Sequence, residues 1–146
     1  MANTDEMIKQ EWRDLGFYYE IEEYNDFKQW KFYGSKKGLF NLIKLLEDYT
    51  AKKSKDCISE HDHYGPYSYL KIMTWSKPEI TENYFAGTIS DLNVLKEIIA
   101  GKLDVTDVGQ TFVISNEYGE GNTASARFFV MAVDFDPVSM DGNYIE

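Results

Sequence analysis

Apolar residues along this chain recur at two spacings, and the switches between them mark its elements. Leu39, Leu42, Ile43, Leu46 and Tyr49 hold a helical spacing, one apolar stripe about four turns long, with Lys44, Glu47 and Asp48 off the stripe. The stretch Phe32-Tyr33-Gly34-Ser35 leading into it has an echo 53 residues later in Phe85-Ala86-Gly87-Thr88. Laid over each other, Leu39, Leu42, Leu45 and Leu46 meet Leu92, Leu95, Ile98 and Ile99. Both copies read as a strand end, a glycine turn and an amphipathic helix. Ser90 is expected to cap the second helix, which stops near Gly101. A shorter helix over 4–15 precedes both, with Thr4 as a cap, Asp5 and Glu6 at its positive end, and Gly16 as its stop.

Elsewhere the period is two. Phe17, Tyr19 and Ile21 share one face and Tyr18, Glu20 and Glu22 the other, so 17–24 predicts a half-exposed strand. Asn25-Asp26 turns the chain, and Lys28 to Tyr33 returns with Trp30 and Phe32 inward, a hairpin. Tyr67 to Trp75 is apolar on both sides and reads as a central strand. Pro78 breaks it, and Asn83 to Ala86 returns. Thr111–Ser115 and a long strand over Ala126–Phe135 flank the turn-rich 117–123. The segment 51–60, with Lys52, Lys53 and Lys55, reads as a solvated connector. The fold expected is α+β: an antiparallel or mixed sheet of about six strands with two main helices on one face plus the short N-terminal helix, in a ββα-ββα-ββ order. One domain is expected over 1–146, with units 17–53, 66–103 and 111–135 and a frayed tail over 138–146.

Composition sharpens this picture. The 146 residues include 11 Tyr, 9 Phe and 3 Trp, which favours sheet. Those rings serve either an aromatic core or an aromatic binding face. The net charge is −10, and it is lopsided. Residues 1–75 carry 11 Lys/Arg against 13 Asp/Glu, whereas residues 76–146 carry 4 against 12. Such a surface repels nucleic acid and anionic membrane. It either keeps the protein soluble or draws in a basic partner. The single Cys57 excludes an intrachain disulfide and suits a reducing compartment. Met1 to Glu6 lacks an apolar run, so no signal peptide is expected, and a cytoplasmic location follows.

Reactive constellations are few. Glu60-His61-Asp62-His63 holds both histidines. On a strand, His61 and His63 point the same way, about 6–7 Å apart, which makes them weak metal candidates. Zinc needs three or four ligands, and Cys57 could join only if its loop folded back. Edge histidines bonded to carboxylates are the plainer reading. No nucleophile elbow, phosphate loop or dinucleotide fingerprint is present. Asp134, Asp136 and Asp141 make an acidic, turn-rich end whose spacing does not match an EF-hand. No catalytic residue and no cofactor is expected.

Gly34-Ser35-Lys36-Lys37-Gly38-Leu39, the following Leu42, Leu45 and Leu46, and His61-Asp62-His63 ahead of Leu70-Lys71-Ile72 together resemble small bacterial immunity proteins. These are the cognate inhibitors of polymorphic or contact-dependent toxins. The resemblance spans residues 30–75. It implies a non-enzymatic protein that binds and neutralises a toxin domain, often a nuclease with a basic cleft. On that footing the expected contacts are Tyr18, Glu20, Glu22 and Glu23 on the exposed strand face, with Asp134 and Asp136. The expected partner is a basic protein, with no nucleic acid and no membrane. The chain would be a monomer, or a homodimer paired through the edge of 17–24 or of 126–135. The alternatives are a small metal-dependent enzyme centred on His61 and His63, or an oligomerising module.

Overall fold

The computed structural model describes residues 4–144. Three helices, α1 (Thr4–Leu15), α2 (Lys36–Ala51) and α3 (Ile89–Val105), accompany eight strands. The strands are β1 (Tyr18–Tyr24), β2 (Phe27–Gly34), β3 (His61–Tyr64), β4 (Leu70–Thr74), β5 (Glu79–Ile80), β6 (Phe85–Gly87), β7 (Thr111–Ile114) and β8 (Ala124–Val130). The fold is α+β, as the alternating patterns imply. The single six-stranded sheet is corrected: the strands form two four-stranded mixed sheets, ordered β1-β2-β8-β7 and β3-β4-β6-β5.

Each sheet consists of two antiparallel hairpins joined by a central parallel pair, β2 with β8 and β4 with β6. The chain builds β1–β2, crosses through α2 to lay down β3–β4, and adds β5–β6 beside it. It then returns through α3 to finish the first sheet with β7–β8. The expected direct return of 83–86 against 67–75 fails for a simple reason. The two-residue strand β5 reverses the chain once more, so β6 runs parallel to β4.

The sequence echo is a structural one. Ser35 and Thr88 cap α2 and α3 from almost the same backbone conformation, φ −64° and ψ 166° against φ −66° and ψ 167°. Their hydroxyls accept from the N–H groups of Gly38 and Asp91, each at 3.0 Å. In α3 the Asp91 carboxylate also accepts from Thr88 N–H, which completes a capping box. The cap therefore lies two residues before Ser90. Because the ladder of main-chain bonds continues, α3 runs through Gly101 to Val105. Gly38 is obligatory for another reason: a Cβ there would lie 2.0 Å from Gly16 O, where α2 meets the α1–β1 turn.

Leu39, Leu42, Leu46, Leu92, Leu95 and Ile99 are all buried in one cluster with residues of both sheets and α1. On the inner face of the first sheet, Tyr19, Phe32, Phe128 and Phe112 are cross-strand neighbours in one row. Phe32–Phe128 and Phe128–Phe112 stack at 4.8 and 4.6 Å. Phe85 of the second sheet reaches this row, 5.9 Å from Phe32 and 5.3 Å from Trp30. Ten of the aromatic rings, only three of them tyrosines, are thus core, and each such pair adds about 0.5–1.5 kcal/mol beyond burial. Main-chain bonds also join the sheets, from Thr123 N–H to Ile80 O, and the Trp30 indole N–H donates to Thr81 O at 2.7 Å.

Two further expectations are corrected. The last strand stops at Val130, and β8 is a central strand with neighbours on both sides, so it has no edge for a second copy to join. The tail expected to fray from residue 138 is tied down as far as it is described. Pro137–Met140 form a 3₁₀ turn, Val138 is buried, and Asp141 is 4% exposed; residues 145–146 of that expectation lie outside the described ones. No helix among the described residues is long and apolar enough to cross a membrane.

Candidate functional site

β1 is an edge strand, and its open side faces a cleft of about 350 Å³. Four consecutive β1 residues, Tyr18, Tyr19, Glu20 and Ile21, line it. Successive side chains point to opposite faces of a strand. A cavity that touches all four therefore wraps the strand's edge, and Trp30 of β2, the cross-strand neighbour of Ile21, closes it on the inner face. The opposite wall comes from Trp12 of α1, from Tyr67 and Tyr69 of the β3–β4 loop, and from Asp141 and Asn143.

Local chemistry explains how these segments converge. Gly65 takes φ 75°, where a Cβ would press on the Tyr19 ring at 2.8 Å, so the loop can approach β1 only with glycine there. Pro66 follows, and Tyr67 and Ser68 both adopt positive φ, 67° and 57°. For a bulky residue such as Tyr67 this is a strained conformation, of the kind that concentrates at binding sites. The Tyr19 hydroxyl holds the loop in place: it donates to Pro66 O at 2.6 Å and accepts from Tyr69 N–H at 3.2 Å.

Asp141 sits at the back of the cleft. Its Oδ2 accepts from the Trp12 indole N–H at 2.9 Å and from the Tyr67 hydroxyl at 2.8 Å, and its Oδ1 accepts from Asn143 N–H at 3.0 Å. Burial works to raise its carboxyl, but the Asn143 N–H and the Trp12 and Tyr67 donors outweigh it and hold the group below the usual carboxylate range. All its hydrogen-bonded partners are neutral, and it forms no ion pair among the described residues. Burial lifts the Tyr18 hydroxyl to about 12, and the charges of Glu20 and then Asp141 add to the rise. The negative potential of both carboxylates therefore reaches this cleft.

The residues singled out from the sequence are placed as follows. Tyr18 and Glu20 are half-buried at the cleft, and Glu20 accepts from the Tyr33 hydroxyl at 3.3 Å. Glu22 pairs with Lys31, which also lies 5.6 Å from the Tyr24 ring centre. Glu23 and Glu82 both approach Lys28. Asp134 is exposed. Asp136 pairs with Arg13 of α1 at 3.1 Å and accepts from Val138 N–H; these two donors overcome burial and keep its carboxyl low. The acidic set thus does not form one patch, because Lys28, Lys31 and Arg13 neutralise part of it.

His61 and His63 are exposed on β3, the edge of the other sheet, with ring centres 5.2 Å apart. Each Nδ1 lies 2.9 Å from a backbone carbonyl, of Ser59 and Ser68 respectively. A carbonyl only accepts, so the proton is on Nδ1 in both rings. Asp62 pairs with Lys55 at 2.8 Å and Lys52 at 3.7 Å, and Glu60 with Lys55 at 3.7 Å. Those lysines are therefore engaged. Among the described residues no three His, Cys, Asp or Glu side chains converge to hold a metal.

A second hollow of about 410 Å³ lies between α1 and α2, but its walls include Glu11, Asp14, Asn41 and Lys44 and no aromatic ring. Sequence reasoning missed Trp12, Tyr67, Tyr69, Asp141 and Asn143 as parts of one site. The signal available was Gly65-Pro66, a turn that cuts the expected strand 67–75 short. Compared with protein-family models, with curated proteins and with solved structures, the chain finds no match.

Proposed function

We propose that this chain is a non-enzymatic, cytoplasmic binding protein of the immunity type, which occludes a basic toxin domain through the acidic, tyrosine-rich edge of β1. The observation that carries this reading is the open side of an edge strand bearing Tyr18, Glu20, Glu22, Glu23 and Tyr24. An unpaired strand edge is a ready template for a partner's backbone. Glu20, Asp134 and a net charge of −10 supply long-range attraction to a basic partner. Glu22, Glu23 and Asp136 would exchange their internal lysine and arginine partners for external ones at the rim.

The test is the association rate with the toxin domain encoded beside the gene, measured from low to high salt. The rate is expected to fall steeply, because charges separated by more than about 8–10 Å are screened at physiological ionic strength. A rate indifferent to salt removes the electrostatic part of the proposal, and absence of binding removes the immunity reading. A homodimer built through β1 would compete for the same edge, and sedimentation would detect it.

The second reading, a metal-dependent enzyme centred on His61 and His63, has one observation in its favour. Nδ1 donation to a carbonyl leaves Nε2 free, which is how metal-binding histidines are commonly held. Stoichiometric zinc in protein purified without a tag, lost in His63→Ala, would favour it.

A further inference from the structure

The cleft beside β1 combines three features that recur where a cation is bound. Its accessible walls are aromatic: Tyr69 is 69% exposed, Tyr67 is 41% exposed, their ring centres are 6.0 Å apart, and Tyr18 lines the same opening. Behind them Asp141 keeps a negative charge in a site only 4% exposed, held by neutral donors and with no ion pair among the described residues. A second carboxylate, Glu20, lines the same opening. Those neutral donors hold Asp141 in its ionised form without cancelling its charge, and low local dielectric strengthens its pull on an incoming cation. The protein holds one of its own lysines in this manner nearby, since Lys31 sits between the Glu22 carboxylate and the Tyr24 ring.

We propose that this cleft is an anchor pocket for one lysine or arginine side chain, presented by an extended segment of the protein partner that lies along the edge of β1. The inference rests on the binding role proposed above and names the group that role turns on. The rings would cover the apolar stem of the side chain and face its charge, with Asp141 and Glu20 supplying the counter-charge. The strand edge would supply main-chain bonds to the flanking residues. A carboxylate or phosphate ligand is excluded by the same charges, and an uncharged isostere would fill the space without the electrostatic gain.

The experiment titrates the intact protein with Ac-Gly-Lys-Gly-NH2, Ac-Gly-norleucine-Gly-NH2 and tetramethylammonium. It follows the Trp12 indole N–H resonance, which reports directly on Asp141. The lysine peptide is expected to shift that signal saturably and to bind about five-fold or more tighter than the norleucine peptide. Glu20→Gln should weaken the lysine peptide and leave norleucine unchanged. Tyr69→Ala, a change at an exposed ring, should weaken both. Equal binding of the lysine and norleucine peptides, or no shift with any probe, overturns the proposal. Tetramethylammonium binding as well as the lysine peptide would overturn the extended-segment part, since a free cation would then suffice. If Tyr69→Ala loses the lysine peptide yet binds the toxin domain as tightly as the unaltered protein, the anchor is wrong while the binding role stands.

Discussion

β1 and β3 are both edge strands, each carries polar side chains on an exposed face, and the two have opposite characters. Around β3 the charges are settled locally: Asp62 and Glu60 meet Lys55 within a few residues, and both histidines donate to nearby carbonyls. Around β1 the decisive carboxylate, Asp141, comes from more than a hundred residues away and is held by uncharged donors. A strand whose charges are balanced by its own sequence neighbours has little left to offer a partner. One that collects an unbalanced charge through the tertiary fold does. The chemically conspicuous residues of a sequence, here the histidines, need not be those the fold prepares for binding.

Four substitutions can break or sharpen that contrast. Trp12→Ala removes a ring that is 2% exposed and belongs to both core and cleft; it should cost about 3–5 kcal/mol in urea unfolding. A cost under about 1 kcal/mol would show that the cleft wall is not tied to the core. Asp141→Asn should cost about 1–3 kcal/mol at neutral pH, because the donors of Trp12, Tyr67 and Asn143 converge on a carboxylate. The folded-state value of Asp141 is depressed. The stability it contributes is therefore present above the unfolded value, about 3.9, and is lost as pH falls through the folded one. The variant should show a shallower loss of stability in acid, and an unchanged acid limb would contradict the assignment. Lys55→Ala leaves Asp62 without its closest ion-pair partner and should cost about 0.5–1 kcal/mol, less at high salt. His63→Ala should lie within about 0.5 kcal/mol of the original protein; a larger loss would mean that β3 is more than a balanced surface.

Much of the fold was legible because its signals are local. The β1–β2 and β7–β8 hairpins, the three helices and the repeated glycine turn before α2 and α3 follow from spacing within about fifteen residues, although the second cap was expected at Ser90 and lies at Thr88. The division into two sheets was not legible, since it depends on which distant strand β2 and β4 choose as a parallel neighbour. β5 is two residues long and sits behind Pro78, too short for any period to register. β3 has no apolar face, so His61 to Tyr64 read as chemistry rather than as a strand. Asp141 read as solvated because Gly142 and Asn143 are turn formers. Its burial is set by Trp12 and Tyr67, and neither is near it in sequence.

The pairing of Lys28 through Gly34 with Ala124 through Val130 has a consequence for how the protein is made. While the chain is being synthesised, the first hairpin exists with its better apolar strand open on one flank, and it stays so until roughly another hundred residues have emerged. Long-range parallel pairing of this kind is slow to form, and an open flank is a hazard in a crowded cell. The β1–β2 hairpin is thus made long before the strand that seals it. Fragments ending between residues 106 and 123 should therefore be aggregation-prone even though they contain all three helices.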